Sequence, residues 1–193
     1  IYNSQNLGVG GATKKGIKLL QQLDVDIFVK VDADGQIKPD LISKIINPII
    51  FGNAEAVKGN RFKNIENFLS MPFVRLIGNI ALSFINKVSS GYWELFDPTN
   101  GFIAFKDSAL KRIRIDEVDN GYFFESDLLF QCSLSNIYFE EIPMSSVYFD
   151  QVSSLSPLRE VPYFSKKHIE NFIKRIFHQY FRKDFNFGSI NLL

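Results

Sequence analysis

The strongest constraint on this chain is a run of β-branched and apolar residues, Val25-Asp26-Ile27-Phe28-Val29-Lys30-Val31, that stops on Asp32-Ala33-Asp34-Gly35-Gln36. The run alternates, which predicts a strand. Pro39 then opens a stretch through Ile50 with Leu41, Ile42, Ile45, Ile46 and Ile49 on one face, which predicts a helix. In open α/β sheets ligands sit beyond the carboxyl ends of strands. Asp32 and Asp34 therefore stand where a site is expected.

The same alternation runs along the chain. Gly8-Val9-Gly10-Gly11 predicts a turn, followed by a helix over 12–23 with Ile17, Leu20 and Leu23 inward. Further strands are predicted over 54–59, 101–105, 136–142 and 145–149, the last two divided by Pro143. Helices are predicted over 74–88, through Ile77, Ala81, Leu82, Ile85 and Val88, and over 125–134. Alternating strands and helices indicate an α/β sandwich. The 193 residues, 46% hydrophobic and 22% charged, suit one domain with a sizeable core. A net charge of +1 supplies no field for nucleic acid. The single cysteine, Cys132, excludes an internal disulfide and fits a packed thiol in a reducing compartment. No apolar run reaches the ~18 residues that span a bilayer, and the start does not read as a signal peptide. The chain begins at Ile1, almost directly on its glycine-rich turn, so it is expected to be N-terminally truncated.

Two carboxylates one residue apart on a turn can converge on one hard cation. Mg²⁺ or Mn²⁺ takes oxygen ligands and keeps positions open for phosphate oxygens. Gln36 adds an amide oxygen or holds a metal-bound water. Asp32 and Asp34 read equally as caps of the turn and the helix that follow. An EF-hand loop starting at Asp32 is excluded, because its sixth and twelfth positions are Ile37 and Ser43. A phosphatase nucleophile loop built on Asp32 needs a later acidic pair for Mg²⁺, and Glu140-Glu141 lies within a strand pattern. The dinucleotide fingerprint suggested by Gly8-Val9-Gly10-Gly11-Ala12 fails at Thr13, where its third glycine belongs.

Six segments in order resemble the family 2 inverting glycosyltransferases, and within them the dolichyl- or polyprenyl-phosphate sugar synthase branch. They are Asn6-Leu7-Gly8 through Gly16, Val31-Asp32-Ala33-Asp34-Gly35-Gln36 with Pro39, and Gly59-Asn60-Arg61-Phe62. Asp97-Pro98-Thr99-Asn100-Gly101-Phe102, Phe124-Glu125-Ser126-Asp127-Leu128-Leu129 and Glu141-Ile142-Pro143 complete the set. The resemblance implies a GT-A type, Rossmann-like mixed sheet flanked by helices, with residues 1–160 as a partial catalytic core. It implies that the strand and acidic loop that grip the nucleoside are missing upstream, so that the isolated chain is weakly active or inactive. It implies that Asp32 and Asp34 meet Mg²⁺ or Mn²⁺ and the donor diphosphate, with Gln36 assisting. Arg61 and Arg75 would face anionic oxygens, as guanidinium forks suit phosphate; Arg75 reads equally as a solvent-facing helix residue. Asp97 would shape the acceptor side or cap a turn. Glu125 and Asp127 stand open between general base, acceptor orienter and helix cap, since helix N-termini favour carboxylates in any case. The synthase branch carries a Ser-Lys pair after its last strand. Here Ser153-Ser154-Leu155-Ser156-Pro157-Leu158-Arg159 lacks the lysine and offers Arg159 as a cation, a departure that bears on the polyprenyl-phosphate acceptor.

Ile169, Phe172, Ile173, Ile176, Phe177, Tyr180 and Phe181 keep helical spacing, flanked by Lys166, Lys167, Lys174, Arg175, Arg182 and Lys183. Such a C-terminal amphipathic helix packs on its domain or lies in a membrane interface. The density of aromatic and basic residues favours the interface for residues 161–193. The expected function is transfer of a sugar from a UDP- or GDP-sugar to a lipid-phosphate or lipid-linked glycan acceptor at the cytoplasmic face of a membrane. The alternatives are a non-catalytic membrane-binding fragment and a Mg²⁺-dependent phosphatase.

Overall fold

The computed structural model describes residues 2–35, 37–63, 73–144 and 157–182, with the backbone alone for 73–75, 157–159 and 181–182. The expected strand over 145–149, Gln36, the Arg75 side chain, the loop over 153–159 as a side-chain site, and the end at 183–193 lie outside the described residues.

Four strands form one sheet in the order β1 (Ile27–Lys30), β3 (Ile103–Lys106), β2 (Ala56–Asn60), β4 (Phe139–Pro143). β3 is antiparallel to β1 and to β2, while β2 and β4 are parallel. β1, β2 and β4 therefore end at the same edge, where β3 begins. Pro143 is the last residue of β4.

The period of two sorts the strand side chains into two cores. Phe28, Ala56, Ile103, Phe105 and Phe139 pack with Ile17 of α1 (Gly8–Leu20) and with Leu128 and Leu129 of α5 (Phe124–Leu134). Val57, Phe102 and Ala104 pack on the opposite face against Leu41, Ile45 and Ile49 of α2 (Leu41–Ile50). Ile42, expected on that stripe, is 39% exposed. A short helix, α4 (Asp107–Leu110), follows β3 directly.

α1 begins earlier than the sequence predicts, and the glycine run is its first turn instead of a separate turn. The cause is a distant loop: the Gly10 and Gly11 N–H groups both donate to the Asn120 carbonyl, at 2.9 and 3.1 Å. A Cβ on Gly10 would overlap the Asp119 carbonyl oxygen and come within 2.9 Å of Phe124 Cδ2. Leu20 and Leu23 are not inward; they are 40% and 61% exposed.

α3 (Phe73–Ser90) and α6 (Pro157–Arg182) pack on each other and on α5. Their polarity is inverted. Ser83, Asn86, Ser89 and Ser90 of α3 and His168, Asn171 and Arg175 of α6 are buried. Ile77, Ile80 and Phe84 of α3 and Ile169, Ile173 and Phe177 of α6 are at least half exposed. α6 runs unbroken through residue 160, where the tail was expected to begin.

Candidate active site at the carboxyl edge of the sheet

Local sequence rules place the charges. Lys30 and Lys58 share the face of Phe28 and Ala56 by the period of two, and both are in register with Ile103 on the strand between them. Two lysines thus lie on the α5 side of the sheet, next to where β1 and β2 end.

Lys30 joins three elements. Its ammonium lies 2.7 Å from Asp32 Oδ1 and 3.4 Å from Glu125 Oε1, and it donates to the Gly101 carbonyl at 3.3 Å. Asp32 sits just past β1, Gly101 just before β3, and Glu125 in the first turn of α5. Gly101 leaves room for that carboxylate: a Cβ there would overlap Asp32 Oδ2 and stand 2.8 Å from its carboxylate carbon, so the Asp32 and Lys30 side chains would have to move. Two motifs far apart in sequence therefore meet at this glycine. Lys58, 1% exposed, donates to the Asn100 carbonyl. Burial pulls its ammonium down to about 8, and the Asp97 and Glu125 charges resist that shift.

Arg61 and Asp97 form the second half of the edge. Arg61 Nε and Nη2 donate to the two Asp97 oxygens at 2.7 Å each, and the Arg61 backbone N–H adds a third bond at 3.1 Å. This is a bidentate fork on a carboxylate that is 1% exposed. Asn100 donates to the Gly59 carbonyl at 2.8 Å and accepts from the Phe102 N–H at 3.0 Å, which ties the 97–101 loop to β2 and β3. Glu141 of β4 accepts from the Phe96 N–H at 2.8 Å and from Asn60 at 2.6 Å. With its oxygens so engaged in holding the loop, Glu141 does not supply the acidic partner that a phosphatase built on Asp32 needs.

The edge thus gathers Asp32, Glu125, Arg61 and Asp97, with Asp34 exposed on the turn beside Asp32. Asp127 is not with them. Its carboxylate faces α6, accepting from Asn171 Nδ2 and from the Asp119 N–H at 2.8 Å each. Burial pushes the Asp127 carboxyl up, against the pull of those two bonds. Lys30 and Lys58 were not singled out from the sequence. Their signal was a lysine inside each of two otherwise apolar strands, both ending at motifs.

Among the described residues no group of three or more His, Cys, Asp or Glu side chains is arranged to hold a metal. Asp32 and Asp34 offer oxygen donors alone, on an open turn. That donor set fits an ion sharing its coordination with a diphosphate and water, and not one held by protein alone.

Comparison with known proteins identifies the family and the fold. Residues 1–114 match the family described as glycosyl transferase family 2. The chain is 40% identical over 148 residues to the UDP-N-acetylglucosamine–dolichyl-phosphate N-acetylglucosaminyltransferase of Methanococcus voltae, covering 77% of this chain and 59% of that protein. It is 26% identical over 148 residues to the undecaprenyl-phosphate mannosyltransferase of Micrococcus luteus, covering 76% and 60%. The chain therefore spans about six-tenths of the length of these relatives. Its fold is similar to that of glucosyl-3-phosphoglycerate synthase from Mycobacterium tuberculosis, solved with Mn²⁺, UDP and glucosyl-3-phosphoglycerate. That likeness has a TM-score of 0.59 at 17% identity, over 86% of this chain and 54% of the other. With a mixed sheet of the GT-A type and a family match over residues 1–114, the chain belongs to glycosyl transferase family 2.

Proposed function

We propose that this chain forms the core of an inverting, metal-dependent transferase. It moves a sugar from a nucleotide donor, a UDP-sugar as in the Methanococcus relative, to a polyprenyl-phosphate acceptor. Support comes from the meeting of Asp32, Gly101 and Glu125 around Lys30 at the carboxyl edge of the sheet. Asp32 and Asp34 would hold Mg²⁺ or Mn²⁺ beside the donor diphosphate, with Gln36 assisting. The ion, when bound, neutralises charge on the departing diphosphate. Arg61, held flat by Asp97, faces anionic oxygens. Glu125, tethered by Lys30, stands on the acceptor side. An acceptor oxygen forms the bond to the anomeric carbon as the bond to the diphosphate oxygen breaks, and the electron pair leaves with the nucleoside diphosphate. A phosphate acceptor is already an anion, so Glu125 orients it and takes no proton from it.

Residues 1–160 carry this chemistry, and residues 161–193 act as a membrane-proximal tail. The apolar outer faces of α3 and α6, with the exposed Lys166 and Lys174 on α6, suit the anionic surface of a cytoplasmic leaflet. No helix among the described residues is long and apolar enough to cross a membrane.

The test is calorimetric titration of UDP and GDP, with and without Mn²⁺, into this chain and into its Asp32→Ala, Asp34→Ala double variant. Metal-dependent binding that weakens by about 100-fold or more in the variant is the expected result. Binding to anionic vesicles without any metal-dependent nucleotide binding would instead support a non-catalytic membrane-binding fragment.

A further inference from the structure

Glu125 and Asp127 are two residues apart on one helix, so their side chains project about 200° apart. They cannot serve the same site, and the structure shows where each goes. Glu125 faces Lys30 of β1 at 3.4 Å. Ser126 accepts from Asn86 of α3 at 2.7 Å. Asp127 accepts from Asn171 of α6 at 2.8 Å. Three consecutive residues of one helical turn are gripped by three different elements.

That turn has local backbone bonds but no side-chain cap. Phe123, the residue before α5, makes no side-chain capping bond. The loop leading into it is held from the same side as Asp127. Asp119 accepts from the Tyr163 hydroxyl of α6, its oxygen lies 3.4 Å from Lys167 of α6, and its N–H donates to Asp127. Asp127 and Asn171 are 4% and 3% exposed, so water does not replace their bond.

We propose that Asn171 and Asp127 are a positioning pair, through which α6 sets the first turn of α5 and thereby the placement of Glu125. The pair touches no reacting atom. The importance of Glu125 rests on the function proposed above; the pairing itself does not.

The test is a swap. Asn171→Asp alone sets two carboxylates against each other in a buried place. Adding Asp127→Asn restores one amide and one carboxylate with the roles exchanged. With a nucleoside-binding segment supplied upstream, so that turnover can be read, Asn171→Asp is expected to lower kcat by about tenfold or more, with the KM for donor and metal-dependent UDP binding within about twofold. It is also expected to speed amide exchange at Asp119 and through Phe124–Asp127. The double variant recovers kcat and slow exchange with the pH–rate profile of the parent, although position 127 no longer carries a carboxylate. Recovery of exchange without kcat would make Asp127 a chemical participant and overturn the proposal. So would exchange in Asn171→Asp that matches the parent. Should Asn171→Asp not fold, the double variant against the parent decides by the same readouts. If the parent chain binds no UDP with Mn²⁺, the titration is repeated with a nucleoside-binding segment supplied upstream; silence there too would sink the proposed function, while the exchange measurements still judge the pair.

Discussion

Helices α2 and α6 both carry regular apolar stripes and turn them in opposite directions. On α2, Leu41, Ile45 and Ile49 face the sheet, and Ile45 is completely buried. On α6, His168, Asn171 and Arg175 face the protein, while Ile169, Ile173 and Phe177 are more than half exposed. Buried polar groups are tolerated only when paired, and these are paired. Ser89 Oγ lies 2.8 Å from His168 Nδ1, Asn171 bonds Asp127, and Arg175 donates to the Val88 carbonyl at 2.8 Å. One side of the molecule is held by apolar area and the other by matched polar groups. The two sides should therefore fail under different perturbations. An outward apolar stripe also suits a neighbour of low dielectric constant, which α2 does not need.

The largest expected effect lies at the site. Arg61→Ala leaves the nearly inaccessible Asp97 carboxylate without its guanidinium, which should cost about 3–5 kcal/mol in urea denaturation. A loss below about 1 kcal/mol would mean that the pair contributes little to the edge. Next comes the apolar side: Ile45→Ala should cost about 2–5 kcal/mol. An undetectable change there would remove the distinction between α2 and α6.

Acid probes the polar side. Burial pulls His168 down to about 4 from its ordinary 6.5. Between those values the unfolded chain binds the proton and the folded chain does not. Stability therefore falls as pH falls through that window, by about 2–3 kcal/mol in all. His168→Gln should flatten this slope in denaturation midpoints measured against pH, and an unchanged slope would move its origin elsewhere. The smallest effect on stability belongs to the outer stripe. Ile173→Ser with Phe177→Ser should leave denaturation within about 0.5 kcal/mol of the parent. The same pair should weaken flotation with anionic vesicles, and equal flotation would argue against a lipid-facing α6.

The candidate site was legible wherever its residues are local. The strand ending at Asp32, the Asp97 to Phe102 loop and the start of α5 at Glu125 could all be read from pattern and turn chemistry. The two lysines could not be assigned, because their meaning depends on register. Only when β3 lies between β1 and β2 do Lys30 and Lys58 flank Ile103. The glycine run at 8–11 read as a turn because its reason, the Asn120 carbonyl, lies far away in sequence. Arg61 read as a phosphate ligand, and its buried carboxylate partner became visible only in the fold.

By itself the sequence determined the alternation of strands and helices, the residues that share each face, and the carboxylate pair after β1. These depend on periods of two and 3.6 and on turn chemistry, all of them local. Tertiary structure alone decided which face of α3 and α6 turns inward, and which of Glu125 and Asp127 looks toward the sheet edge. Periodicity shows that a helix has two faces; which one is buried depends on what stands across the gap. For α6 that is the end of α3, the turn of α5 and the polar groups they present, and matching these outweighed burying Ile169, Ile173 and Phe177.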